Sequence, residues 1–303
     1  MPEFKIYNVN RPNFFIVGAP KCGTTAMNDY LARHPDIFMA KKEIHYFGSD
    51  LKTKYKVTYT EFLDYFKSSN DKKVIGEASV WYLFSQMAAK EIKDFSPAAK
   101  ILIMLRNPVD VLYSLHSQHL YDGNEDVTDF ERAISLDAER KKGNKLPDSV
   151  DYTELPPYID SVLFADQVKR YLDAFGEENV RIILYDDFVK NTDDAVAGTL
   201  KFLGLANINT GEYRVINLNK SIRLFFLHRL IKNPPPRLRK IVRIILPFKA
   251  VRHHIMSYFS RLNIKYKKRK KMDDQLRLRL KEKLAEDISS LSKIIKRNLS
   301  AWM

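Results

Sequence analysis

Gly18-Ala19-Pro20-Lys21-Cys22-Gly23-Thr24-Thr25 stands between an apolar run, Phe14-Phe15-Ile16-Val17, and a stretch from Thr24 to Arg33 that reads as a helix closed by His34-Pro35. A strand that hands over to a helix through a glycine loop points its backbone N–H groups, and the positive end of the helix, at one place. The sequence therefore predicts an anion site at Gly18 to Thr25, and its geometry calls for a phosphate. A nucleoside-triphosphate loop carries lysine immediately after the second glycine. Here Thr24 takes that position, and the lysine, Lys21, lies inside the loop.

Working outward, the same alternation repeats. Val74-Ile75-Gly76 is a short strand, Val80 to Phe95 a helix, Lys100 to Leu105 a buried strand, and Val109 to Tyr121 a helix started by Pro108. Phe130 to Lys141 reads as a helix and Gly143 to Pro157 as a polar connection with the character of a lid or binding loop. Tyr158 to Phe175 is a helix closed by Gly176, Val180 to Tyr185 a strand, and Asp193 to Leu203 a helix stopped by Gly204. Strands and helices in alternation predict an α/β, P-loop-like, three-layer fold with a central, mainly parallel sheet. Leu276, Leu280, Leu284, Ile288, Leu291 and Ile295 mark one apolar face of a C-terminal helix, within 273–302, that packs on the core.

The bulk numbers bound the class. A chain of 303 residues with 45% apolar and 29% charged residues is globular, and the whole of 1–303 is expected to be one domain. No stretch approaches the roughly 18 consecutive apolar residues of a membrane span. The first residues lack a signal-peptide pattern and Cys22 is the single cysteine, so a cytoplasmic chain is expected, with peripheral contact at the inner membrane face as an extension. The net charge of +14 is local: 214–271 holds 18 Lys/Arg and no Asp or Glu, leaving 33 basic against 37 acidic residues elsewhere. The region 214–272 reads as a basic helical insertion or subdomain.

The displaced lysine separates two chemistries. In sulfuryl transfer a phosphate leaves the sulfonate, and negative charge grows on the oxygen bridging phosphorus and sulfur. A lysine beside that oxygen stabilises the leaving group without a metal. Phosphotransfer with a Mg²⁺-nucleotide would need the missing loop lysine and a carboxylate at a strand end, and no strand expected here ends in that way.

The loop resembles the G-x-P-K-x-G-T-T segment of the PAPS-dependent sulfotransferase superfamily, where PAPS is 3′-phosphoadenosine-5′-phosphosulfate. Within it the sequence is similar to the bacterial and heparan-sulfate-type carbohydrate sulfotransferase branch. The resemblance implies that Lys21, Cys22, Gly23, Thr24 and Thr25 hold the 5′-phosphosulfate, Cys22 through its backbone. Leu105-Arg106-Asn107-Pro108, followed by Ser114, resembles the family segment whose arginine and serine hold the 3′-phosphate. A strand-end arginine and a serine two turns into the next helix can both reach one phosphate, the arginine through its planar fork of donors. Asn219-Lys220-Ser221 resembles a late loop that closes over the nucleotide, with Lys220 and Ser221 as its candidates and Arg223 beside them.

On the acceptor side, Lys41-Lys42-Glu43-Ile44-His45-Tyr46-Phe47 resembles the K-E-x-H-[FY]-F segment of carbohydrate sulfotransferases, which implies Glu43 as the base that deprotonates the acceptor. His45 is the competitor, since a neutral imidazole is a competent base. Glu77 and Ser79, in Gly76-Glu77-Ala78-Ser79, resemble a segment lining the acceptor cleft, but Ala78 replaces the lysine of heparan-type enzymes. The resemblance thus implies sulfonate transfer from PAPS, releasing adenosine 3′,5′-bisphosphate without a metal. The acceptor is a carbohydrate or glycolipid hydroxyl, with an amine or small-molecule hydroxyl next. The alternatives are a nucleotide-dependent phosphotransferase and a membrane-binding protein with a degenerate nucleotide site. The basic, partly aromatic segment 224–271 suits an anionic membrane, an acidic polysaccharide or plain solvent, whereas no recognised motif supports nucleic acid.

Overall fold

A computed structural model describes residues 11–41, 43–51, 57–147, 156–208, 220–222, 248, 251, 263–266 and 270–303. Arg223, most of the basic segment 224–271 and most of the connection 143–157 lie outside the described residues. The chain groups into two compact units. One comprises Met1–Val111, Asp160–Ile216 and Arg279–Met303, and the other Leu112–Ile159 and Asn217–Leu278.

The first unit is built on five parallel strands: β1 (Phe14–Gly18), β2 (Ile37–Met39), β3 (Val74–Ala78), β4 (Lys100–Leu105) and β5 (Val180–Leu184). Their order is β2-β3-β1-β4-β5, so the chain passes from β3 to β4 across the central β1. Phe14, Phe15, Ile16 and Val17 are 0% exposed, as expected of a parallel strand covered on both faces. The sheet is wholly parallel in its pairings. A strand order that reverses about one strand opens a crevice at the carboxyl end of that strand, where open α/β sheets bind ligands. Here that end is Gly18.

Helix α1 (Thr24–Leu31) follows the loop as expected. Strand β2 and the short helix α2 (Tyr59–Asp64), opened by a Thr58–Glu61 capping box, were not legible in the sequence. The helix expected over 80–95 is shorter, α3 (Ala88–Phe95). Leu83 N–H is drawn to Val17 O at 2.8 Å, and Ser85 Oγ accepts the N–H groups of Met87 and Ala88 at 3.1 and 2.9 Å, so the chain turns before it coils. Helix α4 (Pro108–Asp122) begins in the first unit and runs into the second.

In the second unit the helix expected over 130–141 is two, α5 (Phe130–Ser135) and α6 (Asp137–Lys141), broken where Leu136 N–H bonds back to Ala133 O at 3.3 Å. Arg140 donates to both oxygens of Glu125 at 2.6 and 2.8 Å, and Tyr158 Oη donates to the same carboxylate at 3.0 Å.

Back in the first unit, α7 (Phe164–Phe175) starts six residues later than the periodicity of 158–175 predicts. Its first N–H groups, on Phe164 and Ala165, donate to the carboxylate of Asp287 at 2.8 and 3.1 Å. The cap comes from a residue 122 positions away along the chain, so no local signal marks it. Tyr185, read as the strand's last residue, instead opens helix α8 (Tyr185–Lys190), and α9 (Thr192–Phe202) follows, capped by Asn191. Strands β6 (Lys220–Ile222) and β7 (Ile264–Tyr266) of the second unit form an antiparallel pair. The C-terminal helix α10 (Asp274–Ile294) buries Leu284 and Ile288 completely. No helix among the described residues is long and apolar enough to cross a membrane.

The remote cap carries a stability prediction. Asp287→Ala leaves two N–H groups of α7 without their acceptor and is expected to cost about 1–2 kcal/mol, read as a lowered midpoint in thermal denaturation. Asp287→Asn keeps one acceptor oxygen and should lose less. An unchanged midpoint for the alanine variant would show that solvent caps α7 equally well.

Candidate active site

All five parallel strands deliver side chains of interest beyond their carboxyl ends. The loop after β1 carries Lys21, the segment after β2 Glu43 and His45, the end of β3 Glu77 and Ser79, the turn after β4 Arg106, and the end of β5 Tyr185. The sequence placed each of these but Tyr185 in a role.

The phosphate loop is fixed by close packing. Gly18 has φ +152°, and a side-chain carbon there would meet Val80 O and Leu83 Cβ at 2.7 Å. Ala19 N–H donates to Met104 O at 2.7 Å, tying the loop to β4. Gly23, at φ +90° and ψ 4°, opens α1 with no side-chain cap bond, and no acidic residue occupies the first turn. That helix terminus is thereby free of competing negative charge from its own first turn. Lys21 adopts a left-handed φ of 65°, uncommon for a residue with a side chain. Thr24 is buried and Thr25 half-buried.

Cys22 is fully buried, donates to Pro20 O at 3.4 Å, and has its thiol pushed up to about 12 by burial. Such a thiol stays protonated and is not a nucleophile. The charges of Arg106 and Lys21 both act on it in the opposite direction. These two cations, 85 residues apart in sequence, are therefore neighbours of one side chain. The Arg106 guanidinium lies over the Tyr185 ring at 4.5 Å and approaches Asp110 only at 4.0 Å. At 26% exposure it retains access to solvent. Tyr185 also crowds Gly23, where an added carbon would stand 3.3 Å from its ring. A strand-end position was the signal that could have singled it out.

Glu43 Oε2 and His45 Nε2 stand 2.9 Å apart, with side chains 31% and 22% exposed. Their segment is anchored from below. Tyr46 and Phe47 N–H groups donate to Tyr82 Oη at 2.9 and 3.2 Å, and the Phe47 ring packs edge-on against Phe15, Phe62, Tyr82 and Phe95. Gly48 N–H reaches Glu91 at 2.6 Å. The aromatic residues of the motif are thus the fixings that hold Glu43 at the surface.

Glu77 and Ser79 are 0% exposed, as is Tyr82 beside them. Ser79 Oγ donates to Glu77 Oε1 at 2.5 Å and accepts the His45 N–H at 3.0 Å. The pair expected to line the acceptor cleft is fully buried and bonded, through Ser79, to the backbone of His45. Ala78 is buried. Ser114 is 6% exposed on α4, within the second unit. Lys220 and Ser221, expected on a loop, lie on strand β6 of that unit, opposite Tyr266 and Lys265.

Comparison with known proteins supplies the context. A family model described as the sulfotransferase domain matches residues 11–292. Carbohydrate sulfotransferase 15 of Mus musculus is 27% identical over 254 residues, which cover 65% of this chain and 44% of that protein. The human bifunctional heparan sulfate N-deacetylase/N-sulfotransferase 1 is 27% identical over 207 residues, covering 65% and 22%. The chain thus spans less than half the length of these curated relatives. A solved sulfotransferase from Alicyclobacillus acidocaldarius superposes with a TM-score of 0.70 at 30% identity, over 97% of this chain and 99% of that one. A match over nearly the full length, on a parallel sheet whose first loop carries the displaced lysine, makes the chain a member of the sulfotransferase domain family.

Proposed function

We propose that this sulfotransferase moves a sulfonate group from PAPS to a hydroxyl of a carbohydrate or glycolipid, leaving adenosine 3′,5′-bisphosphate. The observation that supports the donor is that the charges of Lys21 and Arg106 both act on Cys22, in a loop that opens a helix with no acidic residue in its first turn. A donor with anionic groups at both its 5′ and 3′ positions fits two separate cations, one in the loop and one at a neighbouring strand end. When bound, PAPS supplies the sulfonate and a phosphate leaving group. Lys21, with the N–H groups of Cys22 to Thr25, would hold the 5′ end, and the Lys21 ammonium would neutralise the charge that grows there. The Arg106 fork would take the 3′-phosphate, its plane steadied by the Tyr185 ring.

Glu43 would accept the acceptor's proton. It is the exposed carboxylate of the cluster, and His45 Nε2 holds it in place. The carbohydrate reading rests on the names of the relatives and on the Glu43–His45 segment. Incubation with sulfur-labelled PAPS and, in parallel, a desulfated polysaccharide, a glycolipid and an amine tests it. Label in either of the first two supports the reading, and label in the amine alone would overturn it.

The 3′-phosphate contact is testable separately. Arg106→Ala is expected to weaken PAPS binding about 10–100-fold, the scale of one charged hydrogen-bonding group, and to leave adenosine 5′-phosphosulfate almost unaffected. Equal losses for the two ligands would refute the assignment.

A further inference from the structure

The segment 43–49, between β2 and α2, belongs to no helix or strand, so its backbone N–H groups need acceptors from elsewhere. Five in succession find them on side chains. His45 donates to Ser79 Oγ at 3.0 Å, Tyr46 and Phe47 to Tyr82 Oη at 2.9 and 3.2 Å, and Gly48 and Ser49 to the Glu91 carboxylate at 2.6 and 3.2 Å. All three acceptors lie on one stretch of chain, from just after β3 to the first turn of α3. Tyr82 carries two of the five N–H groups and is fully buried. Burial holds its hydroxyl well above the ordinary phenol range, so this anchor keeps its proton and does not change with pH.

The next residue along the chain serves the other half of the site. Leu83 N–H donates to Val17 O at 2.8 Å, and Leu83 Cβ closes on Gly18, where a side-chain carbon would stand 2.7 Å away. Gly18 opens the loop that carries Lys21. The turn is gripped in its place by α7: Tyr171 Oη donates to Tyr82 O at 2.9 Å, and Arg170 donates to Leu83 O and Phe84 O at 3.2 Å each. Two consecutive side chains thus hold three consecutive carbonyls. One pinned turn reaches the phosphate loop through Leu83 and the Glu43 segment through Tyr82.

Transfer between a bound donor and an acceptor depends on their spacing, and a displacement of about 1 Å costs about 10²-fold in rate. We propose that Tyr82 is a positioning residue: its hydroxyl fixes the Glu43 segment at a set distance from the Lys21 loop, because Leu83, its neighbour, is fixed on that loop. Tyr82 acts through the backbone of Tyr46 and Phe47 and not on the substrates. The inference rests on the reading of Glu43 as the base and of Gly18 to Thr25 as the donor loop.

Tyr82→Phe tests this, because it keeps the ring that packs on Phe47 and the Leu83 contacts and removes only the acceptor. Amide hydrogen exchange at Tyr46 and Phe47 should quicken about tenfold in the variant, the scale of one lost hydrogen bond. Ala19 and Leu83, bonded to Met104 O and Val17 O, should exchange as in the parent. Turnover should fall about 10–100-fold, with affinity for adenosine 3′,5′-bisphosphate unchanged. Combined with Glu43→Gln, the Tyr82→Phe change should cost nothing further, since the anchor then has no base to place. Arg170→Met, which loosens the whole turn from α7, should instead lower turnover and bisphosphate affinity together. Unchanged exchange at Tyr46 and Phe47, losses that add in the double variant, bisphosphate affinity that falls with turnover in Tyr82→Phe, or an Arg170→Met protein that keeps both would overturn the proposal. The exchange measurement needs no turnover, so it reports on the anchor alone; a wrong base appears instead as undiminished turnover in Glu43→Gln.

Discussion

Lys21→Ala is expected to lower turnover about 10²–10³-fold, the cost of removing one preorganised charge from a developing anion. The loop itself should survive the change. Gly18 is wedged against Val80 and Leu83, Ala19 is bonded to Met104 O, and Cys22 is buried, so the backbone around residue 21 is set by contacts that the lysine side chain does not make. The parent and variant should therefore melt alike. Lys21→Arg should recover little, because a planar fork of donors does not replace a compact ammonium. The measurement is single-turnover sulfonate transfer at saturating donor. A loss confined to KM would mean that Lys21 binds donor in its ground state only, and turnover within threefold of the parent would remove it from the chemistry.

Glu43→Gln carries the second large effect, about 10²–10⁴ in turnover, which is the range for a positioned proton acceptor. Glutamine keeps an oxygen toward His45 Nε2 and preserves the anchored Tyr46–Phe47 segment, so the loss would be chemical and not structural. Binding of adenosine 3′,5′-bisphosphate should be unchanged. Turnover retained in Glu43→Gln but lost in His45→Gln would move the base to the imidazole.

The parts of this site that were legible in the sequence are those fixed by local pattern. The four apolar residues before Gly18 could only be a buried strand, and Lys100 to Leu105 matches β4 end for end. The alternation of these runs with helices gave the parallel sheet. What escaped was set by distant partners. The start of α7 depends on Asp287, and the late start of α3 depends on Leu83 bonding to Val17. Strand β2 has only three residues and exists through its pairing with β3. The site shows the same division. Lys21, Glu43 and Arg106 lay in recognisable segments. The burial of Glu77 and Ser79 follows from β3 lying beside β1 in the middle of the sheet, and the stacking of Tyr185 on Arg106 follows from β4 pairing with β5. Neither follows from spacing along the chain.

Calorimetric titration with adenosine 3′,5′-bisphosphate in a chelating, metal-free buffer tests the donor assignment most directly. The expected result is one saturable site per chain, weakened by Arg106→Ala and by Lys21→Ala and not displaced by Mg-ATP. Binding of Mg-ATP with no response to the bisphosphate would contradict it.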